Sequence, residues 1–181
     1  FVSNQIKICR SQIKLEKNKI FWEFAAEIEK EKNQLQPEII AEVSLSLEYP
    51  LVVKIDKYRL TIGTKEEFLY RRLAIQASRK RILEGVPYCK GGKGKERKLK
   101  IAKKLKNTES KYVHHRLHVY SRMLIDFCVE KKAGTIVIVD QEEKIEIAKK
   151  ERFVLRNWSY YELIHKIKYK ADKAGIELIT A

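Results

Sequence analysis

The sequence predicts an α/β fold in which helices flank a mixed β-sheet, preceded by the end of a smaller β domain. Two observations predict this fold. Three β-rich runs lie between Ile39 and Ile62, and the later apolar run Thr135–Val139 is typical of a strand buried on both faces. Helical patterns follow the third run and separate the remaining strands, and strands linked by helices usually run parallel in one sheet.

The charge of the chain indicates a polyanionic partner. Lys and Arg number 39 against 24 Asp and Glu, a formal net charge of +15. Because cationic side chains that neutralise phosphates release condensed counterions, this excess favours nucleic acid; a merely basic protein is the alternative. No run of about 20 apolar residues suits a membrane span. The isolated Cys9, Cys89 and Cys128 fit a reducing cytoplasm, and the start at Phe1 suggests a piece of a longer protein.

The first 36 residues are predicted to form a β-hairpin and a connector. Gln5–Ile8 and Lys19–Phe24 have strand composition, and a polar, turn-like segment separates them. The connector 29–37 has no apolar periodicity, so we place a domain boundary there, between residues 1–36 and residues 37–181.

The second domain is predicted to contain five strands and three main helices. A capping box at Thr64–Glu67 begins the first helix, and Gly134 and Gly175 end the later two. A glycine- and lysine-rich stretch covers 88–106 and should become helical near Arg97. The predicted strands are 39–46, 51–55, 58–62, 135–139 and 176–179, and the helices are 64–84, 108–132 and 159–174. This order, βββ–α–α–β–α–β, is the plan of an RNase H-like domain.

Most candidate binding residues are basic and fall in the first helix and the following loop. Arginine guanidinium groups on one face of the helix can bind along a phosphate backbone; the alternative is a solvated helix face. Glycines let a basic loop approach that backbone closely; the alternative is a disordered basic loop. The loop lacks the spacing of a phosphate-binding GxxxxGK[ST] motif. The candidates are Arg71, Arg72, Gln76, Arg79, Lys80, Arg81, Lys90, Lys93, Lys95, Arg97 and Lys98.

Two later segments add polar and aromatic candidates. Histidines four residues apart on a helix could hold a metal, but no HExxH pattern is present, so contacts to a nucleic-acid backbone are favoured. Aromatic, amide and cationic side chains near residue 158 could stack on bases or bind phosphates, with packing in the core as the alternative. These candidates are His114, His115, Arg116, Arg122, Arg156, Asn157, Tyr160 and Lys168.

Several stretches together resemble TnpB-like transposon proteins and the related miniature type V CRISPR effectors. Their RuvC nuclease domain has an RNase H-like fold, and the resemblance implies that residues 1–36 end a wedge-type β-barrel domain and that 37–181 form an incomplete RuvC domain. It also implies a guide RNA and target DNA as partners. The matching stretches are Ala41–Pro50, Lys65–Arg81, Tyr112–Arg122, Gly134–Asp140 and Phe153–Gly175.

The resemblance fails at the metal ligands. Members of this family hold two Mg²⁺ ions between an Asp of the first motif, a Glu of the second and a later Asp. Here Ser44 and Val139 fall at the first two positions, and Asp140 is one residue along, which on a strand points to the opposite face. The third acid and the family's zinc ribbon would lie beyond Ala181.

From these departures we expect a nuclease-dead effector that is not an enzyme. It would bind DNA under the direction of a guide RNA without cleaving it, with no Mg²⁺ or other cofactor at the degenerate site, and would act in targeting or in transcription control. The alternative is an active RNA-guided, Mg²⁺-dependent endonuclease. We further expect a prokaryotic cytoplasmic protein associated with the nucleoid, with transcription or transposition machinery as possible partners, a possible homodimer and no membrane contact.

Overall fold

The computed structural model describes residues 7–16, 18–27, 30–45, 49–89, 91–139 and 159–180. They form two separate sheets and three helices. The strands are β1 (Lys7–Glu16), β2 (Lys19–Glu27), β3 (Gln36–Ser44), β4 (Leu51–Ile55), β5 (Tyr58–Ile62), β6 (Ala133–Ile138) and β7 (Glu177–Thr180). The helices are α1 (Arg71–Glu84), α2 (Gly92–Glu130) and α3 (Tyr160–Ala174), and a π-helical turn, Glu66–Tyr70, leads into α1.

β1 and β2 form the predicted antiparallel hairpin, although β1 continues well past the predicted end at Ile8. Alternate residues of a strand face the same side, so the register places Ile13 opposite Trp22 and Leu15 opposite Ile20 on one face. These side chains are 65–77% exposed. We call this surface the hairpin face; it is apolar and open to solvent among the described residues.

The larger sheet has the strand order β5-β4-β3-β6-β7. β3, β4 and β5 pair antiparallel, whereas β3, β6 and β7 are parallel, so the mixed α/β sheet of an RNase H-like domain is confirmed. The parallel strands end at one side of the sheet, which we call the carboxyl edge. At the opposite edge, the side chain of Asn33 donates to the Ala174 carbonyl at 3.0 Å and ties the connector to the end of α3.

The core lies between this sheet and the helices α2 and α3. β6 is almost continuously buried, as its apolar composition predicts. The largest fully buried side chains are Leu51, Ile55, Ile62, Phe68, Leu117, Tyr120, Leu124, Ile136, Leu163 and Ile167. In the described part of the chain, no helix has both the length and the apolar character required to cross a membrane.

The stretch 88–106 becomes helical five residues earlier than the predicted start near Arg97, because α2 is one continuous helix of 39 residues that begins at Gly92. Gly92 and Gly94 occupy its first turn, and residues 95–106 consist almost entirely of residues with good helix propensity. Glycine and a high density of like charge both favour a loop, so this stretch was predicted to become helical later than it does.

The capping box at Thr64 is half confirmed. The backbone N–H of Glu67 donates to the Thr64 hydroxyl at 3.2 Å. The Glu67 carboxylate does not return to the backbone of Thr64; it accepts from Tyr120 at 3.1 Å and pairs with Arg116 at 2.7 Å. Glu67 therefore fastens the turn before α1 to the middle of α2.

Candidate nucleic-acid interface

Ser44 and Val139, which the family resemblance assigns to metal-ligand positions, lie side by side at the carboxyl edge. Val43 is in register with Ile138, and the backbone N–H of Val139 donates to the Val43 carbonyl at 3.0 Å. Ser44 and Val139 are the next residues along these adjacent strands. The sheet thus brings together the two residues to which the resemblance assigns the family's Asp and Glu positions.

The described residues at this edge do not fit a pair of divalent metal ions. Such ions need several oxygen ligands with negative charge, whereas Ser44 offers a neutral hydroxyl and Val139 no ligand atom. Within the described ranges, no group of three or more His, Cys, Asp or Glu side chains could hold a metal ion. Asp140 and Glu48, which adjoin the edge in sequence, lie outside the described residues.

A cationic projection extends beyond the carboxyl edge. It consists of α1 and the first half of α2, residues 92–111, which run antiparallel; we call it the helical arm. Lys98 donates to the Gly85 carbonyl at 2.7 Å near its tip, and Gln76 donates to Glu109 at 2.7 Å near its base. With a rise of 1.5 Å per residue, the part of α2 before His114 reaches roughly 30 Å past the start of α3.

The outer surface of the arm carries many more cations than were predicted. Residues 92–111 hold nine Lys and Arg against two Glu. Lys93, Lys95 and Arg97 are exposed as predicted, and a shallow groove of about 600 Å³ next to them is lined by Arg97, Lys100, Lys103, Lys104 and Asn107. Lys100, Lys103 and Lys104 were not among the predicted candidates, although the stretch was predicted to be helical from near Arg97 and a spacing of three to four residues is the signal of a helical face.

The basic residues of α1 divide between surface and interior. Arg71, Lys80 and Arg81 are exposed, and Lys80 pairs with Glu84 at 3.7 Å. Arg79 is half-buried, and its Nε is enclosed without a hydrogen-bond partner among the described atoms. Lys90 lies outside the described residues.

Arg72 and Gln76 do not occupy the predicted phosphate-binding face. Arg72 is 8% exposed, lies 5.5 Å from the ring centroid of Phe68 and contacts Glu109, with 3.4 Å between Nε and Oε1. Burial lowers the pKa of its guanidinium, an effect that Glu109 opposes. Helical periodicity alone could not separate the α1 face that packs on α2 from the face in water, because both carry charged residues.

The predicted histidines belong to a polar junction between α2 and α3. His114 contacts Glu162 at 2.9 Å, and the buried Lys166 lies 3.3 Å from Glu162, from His114 and from His118. Burial, together with Lys166 and Lys170, lowers the pKa of His118. His114 and His118 therefore hold the two helices together, while His115 is exposed.

Four further candidates are placed as follows. Arg116 is half-buried, pairs with Glu67 and stacks over Tyr112, so its guanidinium packs between α2 and the turn before α1. Arg122 is exposed and pairs with Asp126 at 2.8 Å. Arg156 and Asn157 lie outside the described residues.

At the start of α3, the exposed tyrosine is not the predicted one. Tyr160 is half-buried and packs against the core, and burial raises its pKa to about 12. Its neighbour Tyr161 is 92% exposed. Lys168 is exposed on the same helix. Sequence reasoning grouped the two tyrosines, and only the direction of α3 against the sheet distinguishes them.

Comparisons with known proteins give a sequence relative and two structural neighbours, whereas no family model matches the chain. The chain is 32% identical over 126 residues to the CRISPR-associated endodeoxyribonuclease Cas12f1 of Sulfoacidibacillus thermotolerans. This match covers 68% of the chain and 28% of the relative.

The structural neighbours come from cryo-EM studies. A Cas12f1–sgRNA–target DNA complex matches with a TM-score of 0.68 at 24% identity, covering 89% of this chain and 32% of that one. A CRISPR–Cas12f ternary complex matches with a TM-score of 0.63 at 23% identity, covering 96% of this chain and 34% of that one. These likenesses support the fold, and the chain spans about a third of the proteins it matches.

The sequence relative also corrects one expectation. The prediction that the chain is not an enzyme is wrong, because the matched relative is an endodeoxyribonuclease. The assignment of Ser44 and Val139 as replaced ligand positions stays a prediction. Sequence and structure together identify the chain as a homologue of Cas12f1, a miniature, TnpB-like type V CRISPR effector.

Proposed function

We propose that this protein is an RNA-guided effector that binds target DNA, and that the described domain holds nucleic acid along its helical arm. The observation that carries the proposal is the homology of this chain to Cas12f1. One of its structural neighbours is Cas12f1 in complex with an sgRNA and target DNA. In such effectors base pairing reads the sequence, while the protein binds the shape and backbone of the heteroduplex through a positive surface.

The charge and position of the arm support this role. Most of its lysines are exposed along the continuous helix α2, and acidic side chains are scarce around them. Because the arm overhangs the carboxyl edge, a duplex bound along it would be directed toward Ser44 and Val139. Recruitment of transcription or transposition machinery and homodimer formation remain proposals with no support from these surfaces.

The relative's activity extends the proposal to endonucleolytic cleavage of DNA. Metal ions, when bound in RNase H-like sites, activate water and stabilise the leaving oxygen, and clustered carboxylates hold them. Since Ser44 and Val139 do not supply such a cluster, a cleaving form of this protein would need carboxylates from other residues. Asp140, one residue from Val139, and Glu42, two residues from Ser44, are the carboxylates nearest in sequence to these two positions.

The test measures binding and cleavage separately with the guide-loaded protein. A labelled target duplex is titrated at several salt concentrations, and the same duplex is incubated with Mg²⁺ or Mn²⁺ and resolved on a gel. The triple change Lys100→Gln, Lys103→Gln and Lys104→Gln should weaken binding. It should also reduce the slope of log K against log salt by about 0.9 for each phosphate that the variant no longer neutralises.

The matched control changes three exposed cations at the other side of the sheet, Lys54→Gln, Lys57→Gln and Arg59→Gln. It removes the same charge and should leave the salt slope unchanged. Equal weakening by both triple variants would show a general charge effect and refute the arm as the binding surface. Failure of the unmodified protein to bind any target in the presence of its guide would refute the proposed function itself.

A further inference from the structure

The outer face of α3 carries two tyrosines that the core does not use. The opposite face of this helix supplies Leu163, Ile167 and Ala171 to the core and is fully buried. By contrast Tyr161 is 92% exposed and Tyr169 is 52% exposed. Packing therefore accounts for the inner face of α3 and leaves the two rings unexplained.

These rings are aligned with exposed cationic or titratable side chains. Residues 161, 165 and 169 are spaced by four, so Tyr161, His165 and Tyr169 follow one side of the helix at intervals of about 6 Å. Lys168 is exposed between the last two positions. Its ammonium group forms no ion pair with an acid of the described ranges, so its charge can face a phosphate.

The position of this face relates it to the carboxyl edge. The end of α3 is fixed at the opposite edge by the bond from Asn33 to Ala174. The start of α3 is fixed beside the base of the helical arm by the contact between His114 and Glu162. Tyr161 therefore lies at the end of the domain where the parallel strands finish, next to the surface that we propose for nucleic acid.

We propose that Tyr161, His165, Lys168 and Tyr169 form a stacking platform for single-stranded nucleic acid. Aromatic side chains stack on any base, and neighbouring cations bind the backbone, which is how proteins hold single strands without reading their sequence. A double helix hides its base faces, so it cannot use such a platform. The inference rests on the proposed function and adds to it a place for an unpaired strand.

The experiment uses the guide-loaded protein and short oligonucleotides that contain 2-aminopurine, whose fluorescence falls on stacking. DNA and RNA oligonucleotides are titrated in parallel to identify which strand is bound. Tyr161→Ala should weaken single-strand binding by about 5- to 100-fold, as expected for the loss of one base stack, and should restore the fluorescence. Tyr161→Phe retains the ring and should bind within about twofold of the unmodified protein, because stacking requires the aromatic face rather than the hydroxyl.

The control is Tyr58→Ala, which removes another partly exposed tyrosine, at the first residue of β5 and so at the opposite edge of the sheet. It should leave both single-strand binding and fluorescence unchanged. The platform is refuted if Tyr161→Ala binds single strands normally, or if Tyr58→Ala or Tyr161→Phe weakens binding as much. If Tyr161→Ala binds single strands with unaltered affinity and still binds guide and duplex normally, the platform is refuted and the proposed function stands. If the unmodified protein binds no nucleic acid, both the platform and the proposed function are refuted.

Discussion

Glu109→Ala should loosen the helical arm by removing the partner of a buried cation. The side chains of Arg72 and Glu109 are 10% and 15% exposed, and the Nη1 atom of Arg72 already lacks a hydrogen-bond partner among the described atoms. Removing one member of a buried ion pair typically costs 3–5 kcal/mol because the other charge stays buried. The 3.4 Å contact is long, so we expect about 3 kcal/mol, the lower end of that range.

Hydrogen exchange measured by mass spectrometry on the intact protein is the suitable assay, because it reports opening of α1 and α2 separately from the rest. A loss of about 3 kcal/mol corresponds to exchange roughly 100-fold faster in the arm, since each 1.4 kcal/mol is a factor of ten. β6 and α3 should exchange at unchanged rates.

Two further variants make the test specific. Glu84→Ala breaks the exposed Lys80–Glu84 pair on the same helix and should alter exchange by less than about threefold, as surface pairs contribute little. Combining Arg72→Met with Glu109→Met removes both charges and should recover most of the lost protection. The reasoning fails if Glu109→Ala behaves like Glu84→Ala, or if the double variant is as labile as Glu109→Ala.

Three other outcomes are expected. Gly63→Ala should lower the free energy of unfolding by at least about 2 kcal/mol in chemical denaturation, because Gly63 has φ +73° and an added Cβ would lie 2.7 Å from the Tyr120 ring; an unchanged midpoint would contradict this. Tyr120→Phe should cost roughly 1.5–3 kcal/mol in the same assay, since it removes the bond to the Glu67 carboxylate; a neutral effect would mean that Arg116 alone satisfies Glu67. The folded-state pKa of His118 lies below its ordinary 6.5, so folding disfavours its protonation, and stability should fall as pH drops below about 6.5 toward the folded-state pKa. His118→Gln should flatten the pH dependence of the melting temperature over that window, and an unchanged pH dependence in this variant would contradict the assignment.

The fold was more predictable from sequence than the surface. The buried strand β6 and the amphipathic α3 follow from apolar patterning, which depends on local sequence alone. The length of α2 did not follow, because Gly92 and Gly94 are loop signals that a terminal helical turn tolerates. Whether Arg72 meets phosphate or Glu109 depends on a helix 37 residues away, and no local pattern contains that information.

At the candidate site, local sequence likewise could not distinguish adjacent residues that differ in exposure. The assignment of Ser44 and Val139 to ligand positions came from a family resemblance and stays a prediction; the strand register shows that the two residues follow the paired Val43 and Ile138. Tyr160 and Tyr161 have identical chemistry, but α3 turns one toward the core and the other toward solvent. Their assignment required the orientation of α3 against the sheet, which is a property of the whole domain.

The hairpin face has a practical consequence for handling residues 1–181 in isolation. Monomeric proteins rarely leave contiguous apolar patches in water, and unpaired strand edges recruit further strands. With Ile13, Leu15, Ile20 and Trp22 all exposed, this chain is expected to self-associate through β1 and β2 as its concentration rises. Light scattering should then decrease when Trp22 and Ile13 are replaced by Thr, a residue that keeps strand propensity while reducing apolar area. Binding constants measured on the self-associating chain would include that association, so titrations need the solubilised variant.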